Sequence, residues 1–93
     1  MPEDSTVSEG SYTLSWTAVD EHPATYTITH NGVTVKGGNW QSGVPVTYDT
    51  GFLSAGQHIF TITFYDENGN GTSHTVVLTV SSSATNTVLF FFE

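Results

Sequence analysis

The segment Asp66-Glu-Asn-Gly-Asn-Gly71 reproduces the first half of a calcium loop, Asp-x-Asn-x-Asn-Gly. In such a loop oxygen donors recur at alternate positions and a glycine permits the sharp turn. Asp66, Asn68 and Asn70 are the candidate ligands. The second half of the loop fails, because Val77 stands where a bidentate Glu is needed and no helices flank the segment. The same residues also compose an ordinary Asn/Gly hairpin turn. Asp20-Glu21 offers a second acidic pair, with nothing to say at which end of the fold it lies. Asn70-Gly-Thr72 is a glycosylation sequon on the same turn.

Other reactive side chains form no constellation. His22, His30, His58 and His74 lack the spacing of a zinc site. Serine is abundant, but there is no nucleophile elbow and no Gly-rich oxyanion loop, so a hydrolytic triad has no support. Lys36 could form an isopeptide bond only if buried beside an acid and an Asn, and its place beside Gly37-Gly38 predicts exposure. Trp40, Tyr48 and Tyr65 could make a platform for surface glycans. Trp16 and Trp40 also suit the core or its end caps. The expectation is a protein that is not an enzyme and needs no cofactor, calcium excepted.

The elements that would position these residues are strands. Ser11 to Thr17 alternates strictly, with Tyr12, Leu14 and Trp16 on one side. Asp20-Glu-His-Pro23 is a turn. Ala24 to His30 follows, with Tyr26 and Ile28 inward. Asn31-Gly32 is a strong hairpin signal, since both residues accept positive φ. The return strand is expected over Val33 to Lys36, ended by Gly37-Gly38. Val44 to Tyr48 reads as a short edge strand because it contains Pro45. After the turn Leu53-Ser-Ala-Gly56 comes the best strand of all. His58, Phe60, Ile62 and Phe64 share one face and Gln57, Ile59, Thr61, Thr63 and Tyr65 the other. Thr72 to Val80 completes a hairpin with it. The polar residues 1–10 suit an edge strand or an arm.

Composition agrees. Ninety-three residues make one domain with a single core. Ser and Thr exceed a quarter of the chain, while good helix formers are sparse. A net charge of −8 with Lys36 as the lone Lys or Arg excludes phosphate-rich partners, so neither nucleic acid nor an anionic lipid surface is expected. There is no cysteine, hence no disulfide and no thiolate chemistry. Met1-Pro-Glu-Asp4 lacks the basic and apolar regions of a signal peptide. The longest apolar run, Val88 to Phe92, is far short of the roughly 20 residues that a helix needs to span a bilayer.

About seven short strands separated by turns are the pattern of an all-β, immunoglobulin-like antiparallel β-sandwich. The series Leu14-Ser-Trp-Thr-Ala-Val-Asp20, Pro23-Ala-Thr-Tyr-Thr-Ile28, Asn31-Gly32, Trp40, Leu53-Ser-Ala-Gly56, Asp66, Gly69-Asn70 and Thr75-Val-Val-Leu-Thr-Val80 resembles the immunoglobulin-like domains of archaeal and bacterial surface proteins. It is similar, more loosely, to fibronectin type III modules. The resemblance covers roughly residues 2–81. It implies an extracellular or cell-surface location and a spacer, adhesion or filament role without catalysis. In such sandwiches a Tyr commonly follows the Leu-x-x-Gly turn and bonds back to backbone. Here Leu53 and Gly56 are followed by His58, whose imidazole can donate the same bond.

The chain divides into a sandwich, 1–81, and a segment 82–93 made of a Ser-rich linker and a hydrophobic strand. Val88, Leu89, Phe90, Phe91 and Phe92 carry high β propensity with no Pro or Gly, an aggregation hazard if left in water. Burying them is worth about 1.5–3 kcal/mol each. Three fates are open: an eighth strand on the same domain, addition to the sheet edge of another copy, or an unnatural remnant of truncation. The reading is a structural module that self-associates through this strand into a homo-oligomer or a filament. The alternative is a ligand-binding module for carbohydrate or calcium.

Overall fold

A computed structural model describes residues 3–82. Seven strands run in chain order: β1 (Ser5–Ser8), β2 (Gly10–Trp16), β3 (Pro23–His30), β4 (Val33–Asn39), β5 (Val46–Leu53), β6 (Gly56–Asp66) and β7 (Gly71–Ser81). They form a five-stranded sheet of order β1-β7-β6-β3-β4 and a two-stranded sheet β2-β5. The pairs are antiparallel except β1, which lies parallel to the end of β7, Ser5 beside Leu78 and Ser8 beside Ser81. The alternating segments therefore fold as two layers, with the expected immunoglobulin-like topology.

The inward faces meet in one core. Trp16 from β2, Ile28 from β3, Phe60 and Ile62 from β6 and Val76 from β7 are completely buried. Leu14, Tyr26, Trp40, Val46, Leu53, Phe64, Leu78 and Val80 complete it. Each large apolar side chain there contributes about 1.5–3 kcal/mol. Two contacts fix how the layers overlie. Trp16 Nε1–H donates to His74 Nδ1 at 3.2 Å, so β2 sits over β7. Lys36 Nζ donates to the Thr47 carbonyl at 2.8 Å, so β5 sits over β4.

The outward face of the larger sheet is a hydroxyl lattice. Thr29, Thr61 and Thr75 lie side by side across β3, β6 and β7, and so do Thr27, Thr63 and Ser73. The Thr61 and Thr75 hydroxyls are 3.0 Å apart, those of Thr63 and Ser73 2.8 Å. Branched Thr suits a pleated surface, and its hydroxyl keeps that surface wettable.

Two strands, β4 and β5, differ from the sequence expectation. β4 does not stop at Lys36 but continues through Gly37 and Gly38 to Asn39. Those glycines lie against Tyr26: a Cβ on Gly38 would stand 3.4 Å from the Tyr26 ring, and one on Gly37 3.2 Å from the Tyr26 carbonyl oxygen. They let the backbone approach closely without ending the strand. The strand expected at Val44–Tyr48 starts after Pro45 and runs on to Leu53. It passes through a register shift opposite Ser11–Thr13 that Gly51, at φ 67°, makes possible. Residues 1–10 supply β1, an edge strand as expected, of only four residues.

Candidate functional site

β6 spans the molecule, so the residues singled out in the sequence fall at its two ends. At its start stands a corner. His58 Nε2 lies 2.9 Å from the Ser54 carbonyl, four residues earlier. A carbonyl only accepts, so Nε2 carries the proton. His58 Nδ1 is then an acceptor and takes a bond from His30 Nε2–H at 2.8 Å. The His30 ring stacks on Phe60 with centroids 4.4 Å apart. Burial, with His58 as a second cause, lowers the His30 pKa below the ordinary histidine value of 6.5. Asn31 ties the same place down. Its N–H donates to the Ile59 carbonyl at 2.7 Å and its side-chain oxygen accepts the Ile59 N–H at 2.8 Å. Asn31 affords this at φ 52°, with Gly32 at φ 86°, as the Asn-Gly turn requires.

A second corner lies beside the first, and the sequence reasoning missed it. The Tyr12 hydroxyl donates to the Ser8 carbonyl, again four residues back. The signal was present: Ser8-Glu-Gly-Ser-Tyr12 and Ser54-Ala-Gly-Gln-His58 share one pattern, Ser-x-Gly-x-ring. Gly10 and Gly56 both take positive φ, 155° and 133°. The corners are joined where Ala55 N–H donates to Glu9 Oε2 at 3.1 Å, and Gly10 pairs with Leu53 in the sheet. Leu53, the remaining corner residue, is buried.

At the far end of β6 is the acidic turn. Asp66 Oδ1 accepts the N–H groups of Asn68 and Asn70, both at 2.9 Å, and Oδ2 accepts Asn70 Nδ2 at 3.3 Å. The Asn70 backbone N–H, first among these donors, lowers the Asp66 pKa. The Asp20–His22 loop comes to the same end, since Glu67 N–H donates to the His22 carbonyl at 2.9 Å. Asp20 Oδ1 accepts the His22 N–H. The four acids Asp20, Glu21, Asp66 and Glu67 thus share one end, with Asp66 and Asp20 spent on local turn bonds. Among the described residues no three His, Asp or Glu side chains gather as a metal would require. Beside them is a cleft of about 110 Å³ lined by Ala18, Val19, Trp40, Phe64, Asp66 and Thr72.

The aromatic platform is not assembled. Trp40 is buried, edge-on to Phe64, with Nε1–H donating to the Tyr65 carbonyl at 2.9 Å. Tyr48 packs against the core, which leaves only Tyr65 with an exposed ring. Lys36 is exposed, as its position predicted. Val88, Leu89, Phe90, Phe91 and Phe92 lie outside the described residues.

The fold has a counterpart among solved structures. The fibronectin(III)-like modules of Clostridium thermocellum CbhA match with a TM-score of 0.64 and 19% identity, over 88% of this chain and 92% of that one. The chain has the immunoglobulin-like, fibronectin type III-like sandwich fold. No family model matches the sequence, and no curated protein does.

Proposed function

We propose that the chain is a non-catalytic structural module of the cell surface that associates with copies of itself through its C-terminal segment. The observation that carries this is the run Val88-Leu-Phe-Phe-Phe92 following a sandwich whose core is already filled. Trp16, Phe60 and Ile62 are completely buried in a core cluster drawn from both sheets. An apolar β-prone strand with one charge is what strand addition uses. Exchange from one copy to the next does not close on itself and gives a filament. The surface-module reading is in keeping with the fold shared with the CbhA modules. The bonded, buried or scattered state of the His, Asp and Trp side chains favours a structural role over catalysis.

Light scattering on the full chain and on a full-length Leu89→Asp, Phe91→Asp variant tests this reading. The full chain is expected to assemble as its concentration rises, and the variant to stay monomeric. Full chain that is monomeric throughout, or a variant that assembles equally well, refutes it.

A further inference from the structure

We infer that the acceptor for the C-terminal segment of a second copy is the open edge of β7, Gly71 to Val76. This rests on the reading that the segment mediates assembly, and goes on to name where it docks.

β7 is eleven residues long and is flanked on its outer side by β1, which has four. β1 covers only Leu78 to Ser81. Immediately upstream the chain spends a carboxylate on the edge, because Val77 N–H donates to Asp4 Oδ1 at 2.9 Å. That bond fixes the direction of every group along the strand. Main-chain groups alternate sides, so Thr75 and Ser73 also aim N–H and C=O outward. Their side-by-side partners Thr61 and Thr63 on β6 lie on the opposite side. Among the described residues no strand flanks them outside.

The outer edges of β1, β4 and β5 carry protection against pairing. β1 is short and preceded by Glu3 and Asp4. β4 has a register shift that leaves Val35 unpaired, next to Lys36. β5 follows Pro45, contains Asp49 and is bulged at Gly51. Bulges, prolines and charges of this kind are how sheets refuse extra strands. Gly71-Thr-Ser-His-Thr-Val76 has none of them, and its pairing with β6 is unbroken. The outer edge of β2 faces the same side of the sandwich, since Trp16 reaches His74. A strand laid on β7 therefore also shields that seam.

Geometry favours a strand from another copy over the chain's own. β7 ends at Ser81, which is paired to Ser8. A segment folding straight back would meet β1. To reach Val76 it must pass the occupied stretch Val77–Ser81, about 16 Å at roughly 3.3 Å per residue. Residues 82–87, which precede the apolar run, span about 20–22 Å at most, so nearly all of that length would be taken up in turning back and passing β1. A segment arriving from a neighbour meets no such obstacle. Because each copy carries a charge of −8, salt is expected to promote the contact by screening.

The test uses full-length chains, in which any cysteine introduced is unique. Chains with Phe90→Cys are mixed with chains carrying Thr75→Cys on β7, Thr34→Cys on β4 or Ser15→Cys on β2, and joined with a short bis-maleimide. Cross-linking at Thr75 at least tenfold above the other two is expected. In parallel, Thr75→Pro, which removes an outward N–H, is expected to raise the concentration for half-assembly at least tenfold. Its circular dichroism spectrum shows whether it is folded. Preferential capture at Thr34 or Ser15 while the full chain still assembles through its C-terminal segment overturns the β7 assignment alone. Failure of the full chain to assemble overturns the reading beneath it as well.

Discussion

Replacing His58 by Leu removes two hydrogen bonds at once, the one to the Ser54 carbonyl and the one received from His30. Each neutral bond contributes about 0.5–1.5 kcal/mol net. The Ser54 carbonyl is exposed and regains water, whereas His30 is half-buried and less easily resatisfied. His58→Leu is therefore expected to cost about 1–3 kcal/mol, a fall in Tm of about 4–8 °C for each kcal/mol. His30→Leu breaks only the shared bond. A double-mutant cycle should give a coupling of about 1 kcal/mol, since the two side chains touch. The pair also sets a pH dependence. The His30 pKa is lowered in the folded state, by burial first and by His58 second. The unfolded chain thus binds the proton more readily. This contribution is fully present above pH 6.5 and is lost as the pH falls from there through the lower folded value. His58→Leu removes the second cause and leaves the first, so the loss on acidification should shrink without vanishing. Urea unfolding at pH 7.5 and at pH 5, in the Leu89→Asp, Phe91→Asp background to keep assembly out, reads both effects. Additive single substitutions, or a wild-type stability that does not fall between those pH values, would refute this account of the His30–His58 pair.

The remaining predictions concern the core and the two ends. Phe60→Ala empties a fully buried site and should cost about 3–5 kcal/mol in urea unfolding. Trp16→Phe loses the bond to His74 that ties β2 to β7. It is expected to lower stability by about 1–2 kcal/mol, read by thermal denaturation. Asp66→Ala strips the turn of its N–H acceptor and should lower Tm. Because the Asp66 pKa is lowered in the folded state, its contribution holds above pH 3.8 and is lost as the pH falls below that, so the variant and the parent should converge in acid. Millimolar calcium should leave the Tm of the parent unchanged, because a cation would have to displace the N–H donors already on Asp66.

Strands with one buried face were legible from alternation alone. Tyr26 and Ile28, the run from His58 to Phe64, and Val76 to Val80 all face as their spacing indicates, because a pleated strand has a period of two. The Asn31-Gly32 turn was legible because few residues accept its dihedrals. Strand ends at glycine were not. Gly37 and Gly38 look like punctuation in sequence, yet Tyr26, eleven or more positions earlier, makes them part of β4. That information is held by a neighbouring strand and not by the local sequence. Trp40 was ambiguous for the same reason: a ring that could face a ligand or a core is assigned only by what packs on it. The His30–His58 bond joins residues 28 positions apart and follows from the register of β3 against β6, which composition does not encode. The paired Ser-x-Gly-x-ring corners were readable, since both copies of the pattern stand in the chain.

Amide hydrogen exchange at Ser73 and Thr75, followed as the concentration of the full chain is raised, measures the contact at its own hydrogen bonds. Protection of these two amides that grows with concentration and disappears in the Leu89→Asp, Phe91→Asp variant is the predicted result. Exchange at the rate of open amides at every concentration, beside His74 and Val76 held protected by β6, would contradict strand addition at this edge.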